Sequence, residues 1–319
     1  MKYFVAGSNG MVGKAIVKKL KEKTTNGEDI QIIQKERSQL DLIDQGSVRN
    51  FFKIEKPDVV IIAAAKVGGI RANNSFPAEF IYENLMIECN LIHESYLNNI
   101  NRLLFLGSSC IYPVNSPQPM QEGTLLTGSL EPTNEPYAIS KIAGISMCES
   151  YNRQYGTDYR CVMPTNLYGP NDNFNLNNSH VIPALIRKFH EATLKGDDDV
   201  VIWGTGNPLR EYLHVDDMAD ASLYALNLSR EDYLANASSH LNVGSGKECS
   251  IESLAYLIKE ISGFSGNLIF DNSKPDGAPR KLLDVSALTS LGWQHTIDLK
   301  QGLKDTYLWY LENQDSYRR

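Results

Sequence analysis

The sequence predicts a doubly wound α/β protein on a parallel sheet, with a smaller mixed α/β domain after it. Three observations predict this. Lys2–Ala6 is a short apolar stretch that runs into Gly7-Ser8-Asn9-Gly10-Met11-Val12-Gly13, and helical character follows over Met11–Lys23. Apolar runs then recur between helical segments, and Val59-Val60-Ile61-Ile62-Ala63 has the unbroken β-branched character of a parallel strand covered on both faces. After Pro170 the alternation weakens, and Gly and Pro punctuate shorter elements. Residues 1–170 are therefore expected to form a Rossmann domain. Residues 171–319 are expected to form mainly a substrate domain, with some later segments returning to the first.

Composition bounds the function. With 319 residues, 42% of them hydrophobic, the chain can bury one large or two moderate cores. A net charge of -7 argues against a general affinity for nucleic acid or an anionic membrane. No apolar run is long enough to span a bilayer, and the start of the chain lacks the apolar core of a signal peptide. The five cysteines are scattered with no Cys-x-x-Cys spacing, so free thiols in a reducing cytoplasm are expected rather than a disulfide framework or a metal site.

Taken in order, the first element is the glycine turn. Placed between a strand and a helix, it lets backbone N–H groups approach a pyrophosphate, and the helix N-terminus favours the negative charge. The spacing is G-x-x-G-x-x-G; a plain β–α turn is the bland reading. A second strand, Ile30–Gln34, ends in Lys35-Glu36-Arg37-Ser38, where an adenosine ribose is read. Lys35 and Arg37 favour a 2′-phosphate and so NADP, whereas Glu36 favours a free hydroxyl. Asp41-Leu42 follows, on the way to the adenine.

After the third strand, Ala64-Ala65-Lys66-Val67-Gly68-Gly69 supplies small residues suited to backbone contact with a ligand. Phe80–Tyr96 reads as a helix and Leu103–Leu106 as a strand, from whose end Gly107-Ser108-Ser109-Cys110-Ile111-Tyr112-Pro113 breaks away. In Tyr137-Ala138-Ile139-Ser140-Lys141 a helix would put Tyr137 and Lys141 on one face. An ammonium beside a phenol favours the phenolate and lowers its pKa, which makes the pair a candidate proton donor to a carbonyl. A solvated helix face is the bland alternative.

In the second half, Asn171–Asn178 reads as a polar loop and Val181–Leu194 as a helix carrying Arg187 and Lys188. Ile251–Ile261 and Gly302–Asn313 read as closing helices, and His190, His240 and His295 as surface or structural residues.

Together these runs resemble the extended short-chain dehydrogenase/reductases, and within them the branch that epimerises and reduces GDP-4-keto-6-deoxy-D-mannose. The matching segments are Ala64–Asn74, Phe105–Pro113, Glu131–Ala143, Met163–Pro170, Ser179–Leu185, Arg210–Met218 and Lys274–Val285. The resemblance implies NADPH as cofactor, held by Gly7–Gly13, Ala64, Ala65, Gly107 and Pro164-Thr165-Asn166-Leu167. It implies that Ser108, rather than Ser109, and Tyr137 bind the ketone oxygen, with Lys141 also on the nicotinamide ribose. Donors waiting where negative charge develops form an oxyanion site.

Inverting a centre beside a ketone needs a base on one face and an acid on the other. By resemblance these are Cys110 as base and His180 as acid, with His180 also lining the cofactor, while Cys89, Cys148, Cys161 and Cys249 remain small buried hydrophobes. Lys188, Trp203, Arg210, Asp276 and Lys281 are implied to contact GDP-sugar. His214-Val215-Asp216-Asp217 resembles a structural corner without chemistry. A homodimer through the helices of Tyr137 and Phe80–Tyr96 is also implied. Two positions depart from the pattern: Asn9 stands where Arg is frequent in the turn, and Lys188 where Arg is frequent on the substrate side. The alternatives are a related 4-keto sugar epimerised only at carbon 5, and a non-catalytic protein that senses NADP(H).

Overall fold

The computed structural model describes residues 1–176, 179–237, 239–274 and 276–314; Asn177 and Asn178 of the expected polar loop lie outside them. The first half runs β1 (Lys2–Ala6), α1 (Met11–Thr25), β2 (Gln31–Ile33), α2 (Gln45–Glu55), β3 (Val59–Ile62), α3 (Ile70–Ser75), α4 (Pro77–Leu97), β4 (Arg102–Leu106), α5 (Glu135–Tyr155) and β5 (Asp158–Pro164). The second half runs β6 (Asn166–Tyr168), α6 (Val181–Lys195), β7 (Asp199–Trp203), β8 (Leu209–His214), α7 (Val215–Asn227), α8 (Arg230–Asn236) and β9 (Leu241–Val243). It ends with β10 (Glu248–Ser250), α9 (Ile251–Ser262), β11 (Asn267–Asp271), β12 (Arg280–Lys281), α10 (Ser286–Ser290) and α11 (Leu299–Glu312).

The main sheet is parallel, in the order β2-β1-β3-β4-β5-β9. Chain direction across the sheet reverses between β1 and β3, which opens a crevice at their C-terminal ends, where open α/β sheets bind ligands. The unbroken apolar run of β3 has its reason in the layers. Val59 and Ile61 pack with Ala15, Ile16 and Leu20 of α1 and with α7, whereas Val60 and Ile62 pack with Phe52 of α2, Leu91 of α4 and Ile145 of α5. Each such side chain leaving water contributes about 1.5–3 kcal/mol.

Helix α5 approaches β4 closely because residue 144 is glycine: a Cβ there would lie 2.4 Å from the Phe105 ring. Helix α7 and strand β9 fall within the second half of the chain but complete the first sheet, since Met218–Leu226 covers the same face as α1. At the head of α7, Asp217 accepts hydrogen bonds from Thr296 N and Ile297 N, and His214 Nδ1 accepts one from Asp216 N. A separate core gathers Ile182, Ile186 and Phe189 of α6, Leu254 and Ile258 of α9, and Tyr310 of α11. Beside it, β8 pairs with β6, β10 and β12, and β7 with β11. Among the described residues no helix is long and apolar enough to cross a membrane.

Candidate active site

At the mouth of the crevice the glycine turn is held by close backbone approach. Gly7 has φ +82°, and a Cβ on it would lie 2.6 Å from Ala64 N; one on Gly13 would lie 2.1 Å from Gly7 O. The turn therefore locks β1 against the segment leaving β3, and no side chain of the N-cap Gly10 covers the first N–H groups of α1. Ser8 Oγ is buried without a hydrogen-bond partner among the described residues. An open helix start, a cradle that a Cβ would fill and an orphaned hydroxyl fit a dinucleotide's pyrophosphate.

The basic groups after β2 are not equivalent. Lys35 Nζ is 3.0 Å from Glu55 on α2, whereas the Arg37 side chain is 74% exposed and only 3.8 Å from Glu83 at its closest. Arg37 is thus the more available partner for a 2′-phosphate. Leu42 O accepts a hydrogen bond from buried Asn90 Nδ2 at 2.9 Å, which fixes the 41–42 backbone on α4.

Deeper in, β4 ends at Gly107, where a Cβ would overlap Met163. Ser108 then starts a single tight turn, Ser109–Ile111, and its Oγ accepts from Cys110 N at 3.5 Å. Ser109 and Cys110 are buried; the half-buried Ser108 hydroxyl acts on both the Tyr137 phenol and the Cys110 thiol, lowering the pKa of each. Tyr137 sits in the first turn of α5 with the edge of Phe80 against it, centroids 6.3 Å apart.

The phenol departs from its expected acidity. Burial raises its pKa well above the ordinary value, and the charges of Cys110 and Glu88 act the same way. Lys141 does not offset this, because its ammonium is 3.0 Å from the buried Glu88 carboxylate and 5.9 Å from the Tyr137 ring centroid. Tyr137 therefore holds its proton across the neutral range.

The Lys281 ammonium acts on both Cys110 and His180. Burial pushes the Cys110 thiol up, and the Lys281 ammonium is the largest influence opposing it. His180 is the N-cap residue of α6 and keeps an exposed surface, yet protein crowds around it; that desolvation, with the charge of Lys281, lowers its pKa. The β8–β12 register sets Arg210 directly beside Lys281, so two partly desolvated cations stand side by side. Such an arrangement is relieved by an anion between them.

The remaining residues expected to contact GDP-sugar lie around β7. Trp203 is 63% exposed, with Lys188 Nζ 5.4 Å and Lys274 Nζ 5.9 Å from its ring centroid. Asp276 accepts from Thr205 N at 2.7 Å and from Thr205 Oγ1 at 2.8 Å, so it braces the turn after Trp203. Segment 276–281 joins this platform to the cation pair. Among the described residues no group of three His, Cys, Asp or Glu side chains is arranged to hold a metal ion.

A family model described as "NAD dependent epimerase/dehydratase family" matches residues 3–244, three quarters of the chain. The chain belongs to that family. A protein named GDP-L-fucose synthase from Escherichia coli is 58% identical over 318 residues, covering 99% of this chain and 98% of that one. GDP-L-colitose synthase from Yersinia pseudotuberculosis is 38% identical and covers 99% and 100%. Among solved structures, the GDP-mannoheptose C4 reductase from Campylobacter jejuni with NADP bound is 40% identical, with a TM-score of 0.87 over 97% of this chain and 98% of that one.

In this family member two features near the site escaped sequence reasoning. One is Glu88, whose signal was its phase: it falls on the buried face of α4 with Phe80, Asn84, Ile87 and Leu91. The other is a buried chain of hydrogen bonds behind the Cys110 loop. Tyr112 OH donates to Asn242 Oδ1 at 2.5 Å and lies 2.7 Å from His240 Nε2, while Ser239 Oγ lies 2.7 Å from His240 Nδ1. The set closes if His240 donates from Nε2 and accepts from Ser239 at Nδ1.

Burial lowers the His240 pKa from its ordinary 6.5 to about 4. In that window the unfolded chain binds a proton that the folded one does not. The stabilisation is present in full above pH 6.5 and is lost as pH falls toward 4, by about 3 kcal/mol at most. His240→Gln keeps a donor and an acceptor without titrating. Its urea midpoint should therefore fall less steeply over that window than the wild-type midpoint does; parallel curves would contradict the assignment.

Proposed function

We propose that the chain converts GDP-4-keto-6-deoxy-D-mannose to GDP-L-fucose: it inverts carbons 3 and 5, then reduces the carbon-4 ketone. The observation that carries this reading is the meeting of two kinds of chemistry at one turn. Ser108, whose Oγ accepts from Cys110 N, acts on both the Tyr137 phenol, which suits carbonyl reduction, and the Cys110 thiol, which with His180 suits proton exchange at neighbouring carbons. The 58% identical relative named GDP-L-fucose synthase supports it.

Bound NADPH supplies the hydride; the glycine turn with Ser8, Arg37 on a 2′-phosphate, and Lys141 on the ribose would hold it. Ser108 and Tyr137 donate hydrogen bonds to the ketone oxygen, first as an enolate forms and again as the alkoxide forms. Cys110 removes a proton beside the ketone, and His180 returns one to the opposite face. In the reduction, the Tyr137 proton passes to the carbon-4 oxygen. Arg210 and Lys281 take the diphosphate, and Trp203 with Lys188 takes the base or sugar, flanked by Asp276. An anion there also screens Lys281 from His180 and so helps the imidazole carry a proton.

The experiment has two arms. Incubation of the keto sugar in deuterated water without NADPH should label carbons 3 and 5; adding NADPH should then consume one cofactor per sugar and yield GDP-L-fucose. No label would end the epimerase claim, and NADPH binding without consumption by any keto sugar would leave only a sensor. The second reading, a 3,6-dideoxy-4-keto sugar epimerised at carbon 5, is favoured by the relative named GDP-L-colitose synthase and is decided by turnover of both ketones side by side. A cytoplasmic homodimer belongs to the same proposal. Support comes from five free cysteines and from Tyr82, Leu97, Ile139 and Tyr155 exposed on α4 and α5. Sedimentation of the purified protein as a monomer would remove the dimer.

A further inference from the structure

Helices α4 and α5 meet in a contact that no role above uses. Glu88 Oε1 on α4 lies 3.0 Å from Lys141 Nζ on α5, with side chains 1% and 2% exposed. The contact is an ion pair whose alignment falls short of a hydrogen bond, and among the described residues neither Glu88 oxygen nor the ammonium has a hydrogen-bond partner. Two aromatic rings also flank the ammonium, whose Nζ lies 4.7 Å from the Phe105 ring centroid and 5.9 Å from that of Tyr137.

We propose that Glu88 is a positioning residue for the reduction: its carboxylate holds Lys141 beneath Tyr137 and balances the ammonium's charge, so that the phenol keeps the proton it donates. The proposal rests on the reductase reading above. A stable core alone does not call for this pair, because apolar side chains of similar volume serve as well or better. What singles it out is its neighbour. With the carboxylate in place, the net charge under the phenol is near zero. Without it, a desolvated cation would stand one helical turn from Tyr137 and draw the phenol toward phenolate, while an ammonium without its counter-ion gives up its own proton more readily. Both effects remove the active state from the alkaline side.

The other titratable groups that sense the pair are Cys110 on the cleft side, which feels Lys141, and Cys89 on α4 and Cys161 on β5 on the core side, which feel Glu88. Burial pushes the Glu88 carboxyl up, and Lys141 opposes that shift. Glu88 also acts directly on Tyr137, in the sense that keeps the phenol protonated.

The test uses the whole protein and a ketone already epimerised, so that Cys110 is not needed. In E88Q the alkaline limb of reduction should move down by about one to three pH units. E88D, which keeps the charge one methylene further away, should lie between E88Q and wild type. A second readout needs no turnover: ultraviolet absorbance of tyrosinate, taken as the difference from the matching Y137F background. Tyr137 should ionise at lower pH in E88Q and return toward wild type in the charge-free pair E88M/K141M, which also serves if E88Q fails to fold. An E88Q limb and tyrosinate titration that coincide with wild type would overturn the proposal, however far the rate fell. If wild type reduced no keto sugar, the reductase reading would fall instead, and the tyrosinate titration would still decide whether Glu88 governs the phenol.

Discussion

Tyr137→Phe is expected to lower reduction of the carbon-4 ketone by about 10²–10⁴-fold, the usual worth of a positioned general acid. The reason is the phenol's setting. It is enclosed, and its pKa is raised well above the ordinary value, with the Ser108 hydroxyl opposing that rise. It therefore enters the reaction with its proton, and removal of the hydroxyl takes away both the proton and one donor of the oxyanion pair. The phenylalanine ring keeps the edge contact with Phe80 at 6.3 Å, so stability should change by no more than about 1 kcal/mol. Proton exchange into the sugar should fall less than reduction, because an enolate needs only to be stabilised and Ser108 remains. Single-turnover reduction of a pre-epimerised ketone, with exchange measured beside it, checks both. A variant that reduced at the wild-type rate would remove Tyr137 from the chemistry.

That Tyr137 and Lys141 would share a helix was legible from their spacing, because the period of a helix is fixed by backbone geometry. The same holds for β3, whose apolar run can be satisfied only between two covered faces, and for the glycine turn, where closely packed backbone leaves no room for a side chain. The acidity of Tyr137 was not legible. Spacing brought the ammonium near, but Glu88, 53 positions from Lys141 in sequence, decided where that charge was balanced. Lys35 shows the same limit: the chain displays a basic residue at the end of β2, while its ion pair with Glu55 appears only in the fold. A return of later segments to the first domain was expected, but not that α7 and β9 are the ones that complete its sheet, since that depends on which faces find cover. Periodic features are local and can be read from sequence; charge partners are non-local and appear only when elements dock.

The second large effect is expected at Cys110. Cys110→Ser is close in size and should fold, but it replaces a thiol with a hydroxyl that scarcely ionises. Deuterium exchange at carbons 3 and 5 should fall by about 10²–10⁴-fold, while reduction of a pre-epimerised ketone stays near wild type. The sharper result concerns pH. Exchange needs one proton held between Cys110 and His180, so kcat/KM for exchange, which reports the free enzyme, should be bell-shaped. Its acid limb follows the imidazole, lowered by burial and by Lys281. Its alkaline limb follows the thiol, raised by burial but held down by Lys281. Lys281→Met removes one influence from both groups. The imidazole and the thiol should then both rise, and the whole bell should move to higher pH by about a unit, in addition to any loss of affinity. A structural residue would lower the bell without moving it, and a lysine beside only one of the two groups would move a single limb. Displacement of both limbs together is the signature of a thiol and an imidazole facing one ammonium across one sugar.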